Sequence, residues 1–294
     1  MKTFIFGDSH TAIFASKTIA YSPGPITLRN FCSPENILRN HISQFHMQHG
    51  SAGDVVILCL SEIDIRAHFW RDFPVFHSKG MSLQDFVSMH ATKFISSCQN
   101  FYAERQLGAM IIWGAPAASK EGKLYNPNFP FVGSPVTRNI ICHELNMAIM
   151  REILASGSGF NLRFTTFFYN MVDAAFNTDA SYFGDGVHLD GRLTDSSWRI
   201  IEQTFSNTTP ITVDSRFHQL QDLRYQCALE EYTDTDRMDA FDAWLDTGSV
   251  SSTEIPQRQI SLAVNGQTVN IGLFDAPAIS RMPQVVNKLA LKIL

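Results

Sequence analysis

Asp54-Val55-Val56-Ile57-Leu58-Cys59-Leu60 is an unbroken run of β-branched and aliphatic residues bounded by an acid. A run of this length without polar alternation predicts a strand buried on both faces, the hallmark of a parallel sheet covered by helices. Ala109 to Trp113 (AMIIW) reads the same way, and Thr3-Phe4-Ile5-Phe6 is a shorter run that ends at Gly7. Ile26-Thr27-Leu28 is a possible second strand, and Leu162 to Phe168 a fifth. Helical patterns fall between them at Thr11 to Ala20, Ser82 to Gln106 and Thr137 to Ala155, and again at Asp195 to Phe205. Ser33-Pro34-Glu35 reads as a further helix start, with Ser33 as N-cap and Pro34 in the first turn. This β-α-β-α order predicts an α/β fold with a parallel sheet and helices on both faces. Such sheets bind ligands at the carboxyl ends of their strands, here the loops after Phe6, Leu60 and Trp113.

The chain of 294 residues is long enough for one large domain, or one domain and an appendage. Its character changes near Thr208: Asp214 to Asp246 is acidic, and Ile260 to Leu273 alternates around Asn265-Gly266, a strong hairpin signal. We therefore expect a domain over 1–206 and a C-terminal extension over 207–294, acidic and ending in a hairpin. A hydrophobic fraction of 45% is enough for a sizeable core, and the 23 Phe residues, spread along the chain, read mainly as part of it. A formal charge of -5 gives no electrostatic case for a nucleic-acid partner. The five cysteines, Cys32, Cys59, Cys98, Cys142 and Cys227, form no CxxC pair and are expected to be reduced. With no apolar stretch long enough to span a bilayer and only Phe4 to Phe6 apolar near the start, a cytoplasmic location without a membrane span is expected. No metal and no cofactor are expected. His41, His46 and His49 lack a completing carboxylate or thiol, Asp234-Thr235-Asp236 lacks the rest of a calcium loop, and no Gly-rich phosphate loop occurs. The oligomeric state is left open.

Gly7-Asp8-Ser9-His10 follows the first strand and precedes a helical segment. A serine at a strand-to-helix turn projects its hydroxyl at the sheet edge, beside free N–H groups at the helix start. The glycine before it permits a tight turn. Asp185-Gly186-Val187-His188 precedes the last helix of the alternating region. A serine hydroxyl is barely nucleophilic at neutral pH until an imidazole takes its proton, and that imidazole needs a fixed tautomer. His188 is the candidate base and Asp185 its partner, and three residues of spacing let one loop present both.

Together the two blocks resemble the SGNH/GDSL hydrolase family, over about residues 1–206. The resemblance implies a flavodoxin-like three-layer α/β/α sandwich, with Ser9 as nucleophile and Asp185 and His188 completing the triad. The GDSH form of the first block and the His188-Leu189 ending of the last look like SGNH domains that move acyl groups on and off carbohydrates. The implied function is an esterase or deacetylase acting on a small-molecule or carbohydrate ester. An acyltransferase with the same triad and a non-catalytic binding protein are the alternatives.

Two departures bear on the oxyanion hole. The family places a Gly after the second strand, where the reading above puts Arg29-Asn30-Phe31-Cys32-Ser33. Its third block is commonly GxND, whereas Ser61-Glu62-Ile63-Asp64 stands here, so Ser61 and Ile63 replace the Gly and the Asn and only the Asp is kept. Ile63 has no hydrogen bond to donate. Asp8, Ser61, Asp64 and Arg66 are the candidates for oxyanion or substrate contacts; Arg66 or His68 is the replacement donor, with Arg66 expected to reach back. Asp8 also reads as a brace for its loop, and Glu62, Asp64 and Arg66 also read as an ion-pair network at a strand end.

Overall fold

The computed structural model describes residues 1–119, 131, 134–173, 176–185 and 187–206, and the backbone of 259–264 and 267–272. β1 (Thr3–Gly7), β2 (Ile19–Tyr21), β3 (Val55–Cys59), β4 (Ala109–Trp113) and β5 (Leu162–Thr165) form one parallel sheet of five strands in the order β2-β1-β3-β4-β5. This is the flavodoxin-like strand order. The two long apolar runs of the sequence are β3 and β4, each buried at every position.

Helices α1 (Leu28–Phe31), α2 (Ile37–His49), α3 (Phe69–His77), α4 (Leu83–Arg105) and α5 (Pro135–Ala155) precede β5, and α6 (Phe168–Met171) and α7 (Thr194–Ser206) follow it. α1 packs on α2 and α4, and α4 packs on α3 and α5. Phe4 and Phe6 stack on each other and meet His46 of α2 edge-on, and Phe31 meets Phe94 and Phe101 of α4. The opposite face is closed by the 3-10 turn Ser9–Phe14 and α7, where Phe14 touches both Trp113 of β4 and Trp198. Helices thus cover both faces, as right-handed crossovers require.

The first crossover differs from expectation. Thr11 to Ala20 is no helix: the 3-10 turn ends at Phe14, and Ile19-Ala20-Tyr21 pairs in parallel with Phe4-Ile5-Phe6. Ile26-Thr27-Leu28 is not a strand, because Thr27 caps α1 by accepting from Asn30 N–H and Asp64 accepts from Leu28 N–H at 2.7 Å. The next helix starts at Ile37 behind Asn36, not behind Ser33, since Asn36 offers its side chain to Leu38 N–H. The remaining helices match within a few residues, with Ser82 and Ser134 as N-caps of α4 and α5. β5 ends at Thr165, three residues short of the expected end at Phe168. Toward the C-terminus, β6 (Gln259–Val264) and β7 (Gln267–Gly272) pair antiparallel, as the alternating pattern predicts for a hairpin. Its Asn265-Gly266 turn, the acidic stretch Asp214 to Asp246, and Cys227 lie outside the described residues. Cys32, Cys59, Cys98 and Cys142 are free thiols. Among the described residues no helix is long and apolar enough to cross a membrane.

Gly7 serves close approach rather than turn freedom. A Cβ built there would lie 1.8 Å from the Cys59 carbonyl oxygen, a backbone atom of the paired strand. The end of β1 therefore lies against β3 only because residue 7 has no side chain. Gly7→Ala is expected to cost about 3 kcal/mol or more and to lower Tm by roughly 10 °C, measured by calorimetry. A variant with unchanged Tm would show that the two strands separate freely at this point.

Candidate active site

The nucleophile turn is built by the residue before it. Asp8 N–H continues the sheet pattern by donating to Cys59 O, while the Asp8 carboxyl accepts from His10 N–H at 2.9 Å and caps the 3-10 turn. Thr11 closes the turn with its N–H and its hydroxyl on Asp8 O. Ser9 is thus the first residue of the turn, exposed at the carboxyl end of the central strands. Its N–H has no acceptor among the described residues.

The second block arrives on a loop pinched at its neck. Phe183 and Leu189 bridge antiparallel, Gly184 N–H donates to His188 O, and Asp190 N–H donates to Tyr182 O. Inside the loop, Asp185 accepts from Val187 N–H at 2.9 Å and His188 N–H at 2.7 Å through one oxygen. Its other oxygen lies 2.7 Å from His188 Nδ1, and His188 Nε2 lies 2.8 Å from Ser9 Oγ. Thr194, at the start of α7, donates its hydroxyl to Ile13 O at 2.8 Å and so ties the end of this block to the nucleophile turn. The three residues expected to form a triad are brought together in hydrogen-bonded order.

The electrostatics suit the arrangement. Partial burial opposes ionisation of Asp185, but hydrogen bonds from the His188 side chain and from the His188 and Val187 N–H groups outweigh it and hold the carboxyl well below the usual carboxylate range. A permanently ionised Asp185 orients the imidazole and favours its cation. The His188 and Asp185 side chains are 45% and 50% exposed, so substrate has an open approach.

The four candidate oxyanion or substrate residues are all buried and are engaged within the protein. Asp8 caps the turn. Asp64 holds the start of α1 and lies 3.4 Å from His68 Nδ1. Arg66 donates Nε to Glu62 at 2.7 Å and stacks over the Phe131 ring, which Arg138 also covers. Ser61 donates its hydroxyl to Leu60 O and has φ 90°, a left-handed conformation that suits glycine and strains an L-residue. Ile63, partly exposed, opens the π-helical turn Asp64–His68 without a side-chain cap bond. The true loop after the second strand is Ser22-Pro23-Gly24-Pro25, so a glycine is present there after all: Gly24, with φ +122°. The expectation of a missing glycine came from placing that strand at Ile26-Leu28.

The reading of the sequence did not single out the His10 side chain, which is buried at 2% exposure with its ring centroid 5.5 Å from that of His188. The letters around it carry no signal of burial; only the packing shows it.

No protein-family model matches the chain, and comparison with curated proteins finds no match. Among solved structures, the chain is similar to a protein from Streptococcus pneumonia provisionally described as a platelet activating factor (16% identity, 69% of this chain, 82% of that one, TM-score 0.44). It is also similar to a provisionally described acylhydrolase from Bacteroides fragilis (15%, 69% and 86%, TM-score 0.42). A third is the salicylyl-acyltransferase SsfX3 of a tetracycline biosynthetic pathway (10%, 72% and 56%, TM-score 0.37). Likeness at this level adds no weight to a functional reading, which rests on the geometry of the site.

Asp8 gives the site a measurable pH signature. Burial, reinforced by the charges of Glu62 and Asp64 against the weaker help of His10 N–H and Arg66, pushes its carboxyl up to about 8. The folded state therefore holds a proton that the unfolded chain releases near the ordinary carboxylate value. The associated stability is complete below that value and is lost as pH rises toward 8, by up to about 1.4 kcal/mol per pH unit. Asp8→Asn keeps the acceptor for His10 N–H and never ionises. Its Tm should gain on wild type steadily from pH 5 to 8 and level off above. A gap that does not change with pH would show that Asp8 titrates normally.

Proposed function

We propose that the chain is a serine hydrolase of the SGNH/GDSL type, cleaving an acyl ester of a small molecule or carbohydrate through an acyl-serine intermediate. The observation that carries this reading is the continuous chain Asp185–His188–Ser9, with contacts of 2.7 and 2.8 Å. An isolated Ser–His contact recurs by chance; one whose histidine is fixed at its other nitrogen by an ionised carboxylate is the working arrangement of a nucleophilic serine.

In this mechanism Ser9 Oγ attacks the acyl carbonyl carbon while its proton passes to His188 Nε2. Asp185 holds the Nδ1–H and steadies the imidazolium. Collapse of the tetrahedral intermediate breaks the ester C–O bond, and His188 returns the proton to the departing alcohol. Water then repeats the sequence on the acyl-serine, giving its proton to His188, and the carboxylic acid and free Ser9 emerge. The Ser9 N–H, without an acceptor among the described residues, is a donor for the developing oxyanion. Residues 1–206 hold every part of this machinery, and we assign them as the catalytic domain and 207–294 as an extension.

The test is a panel of p-nitrophenyl esters of increasing acyl length and of acetylated sugars, run beside Ser9→Ala. Turnover on at least one ester, reduced at least a thousandfold in Ser9→Ala with unchanged Tm, is expected. Activity that survives in Ser9→Ala would rule out this nucleophile.

A further inference from the structure

His10 is an anomaly in an otherwise well-satisfied turn. Its ring is buried, and neither Nδ1 nor Nε2 has a hydrogen-bond partner among the described residues. An unpaired buried polar atom is costly to stability, and a phenyl ring or a leucine would fill the same space without that penalty. The backbone of His10 is not the reason for an imidazole, since its N–H bond to Asp8 is open to any residue but proline.

The neighbours of the ring explain it. It lies 5.5 Å from the His188 ring, tilted by 48°. Two hydrogen-bond contacts, to Asp185 and Ser9, fix the His188 ring, and His10 packs beside it. Burial holds His10 down to about 4, against the pull of Glu62 and with help from the charges on His188 and Arg66, while Asp185 acts the other way. Of two imidazoles this close, the buried one is held in its neutral form. A histidine tautomer is normally set by the hydrogen bonds its nitrogens make. With neither nitrogen engaged, the tautomer of His10 answers instead to the charge beside it.

Building on the triad mechanism above, we propose that His10 is a positioning residue for His188: an uncharged, unpaired imidazole that turns its lone-pair side toward the cation formed when His188 takes the proton of Ser9. It touches no substrate. Its orphaned nitrogens are a cost carried in the resting protein for an interaction that appears only when His188 is charged, so it acts on kcat and leaves KM alone. The titratable and charged groups around the pair are Asp8 on the turn, held toward its neutral form, Asp185 on the triad loop, and Glu62, Asp64 and Arg66 after β3; none of them changes in the variants below.

His10→Phe keeps the ring and deletes the nitrogens. Its kcat on the best ester should fall about tenfold with KM unchanged and Tm equal or higher, and His10→Gln should recover part of the loss. The second readout needs no activity. In Ser9→Ala protein with 15N-labelled histidine, the His188 titration midpoint should drop by about half to one pH unit when His10→Phe is added, because its cation has lost support. In the same spectra without the His10 change, the His10 nitrogens should switch tautomer as His188 titrates, without His10 itself becoming charged. A failed ester panel with these shifts intact would overturn only the hydrolase reading. A His188 midpoint unmoved by His10→Phe, or a His10 ring locked in one tautomer across the titration, would overturn the proposal for His10.

Discussion

The hydrogen bond between Ser9 Oγ and His188 Nε2 joins residues 179 positions apart, and the chemistry of the site depends on it. Neither block can place its partner alone. The first is fixed by β1, whose end lies against β3 through the missing side chain of Gly7 and the Asp8–Cys59 backbone bond. The second is fixed by the neck of its own loop and by the Thr194 hydroxyl on Ile13. A displacement of about 1 Å in either would stretch a 2.8 Å contact beyond useful proton transfer. That explains why so much of the bonding around the site is backbone to backbone or side chain to backbone, in geometries that tolerate little drift.

The polar groups around the nucleophile turn are unusual for their burial. Asp8, His10, Asp64 and Arg66 are each at most 6% exposed. Charges in such a place must be paired, neutralised or hydrogen-bonded. All three solutions occur: Arg66 pairs with Glu62, Asp64 accepts Leu28 N–H, and Asp8 and His10 shift toward their neutral forms. The result is a site in which the carboxylate of Asp185, held below the usual range, stands where the imidazolium forms, while Asp8 and His10 on the nucleophile turn are held toward their neutral forms.

The sequence disclosed most where the signal was local. β3 and β4 are unbroken apolar runs, and the triad residues sit in two short blocks whose chemistry is legible from residue types and spacing. β2 was hidden because Ile19-Ala20-Tyr21 is three residues long, partly exposed, and a strand only by virtue of pairing with β1. That one misplacement also concealed Gly24. α3 was hidden because it grows directly from the π-helical turn after Ile63, with no capping side chain to mark a start. Arg66 shows a different limit: its position in sequence was known, yet whether the guanidinium faces the oxyanion or Glu62 and Phe131 is decided by packing, and the structure places it on Glu62 and Phe131.

The central claim is that Ser9 is made nucleophilic by His188. Labelling with a fluorophosphonate at one equivalent, followed by peptide mass spectrometry on wild type and on His188→Ala, tests it most directly. The account predicts a single adduct on Ser9 in the wild type and none in the folded His188→Ala protein. Adducts spread over several serines, or equal labelling of Ser9 with His188 removed, would contradict it.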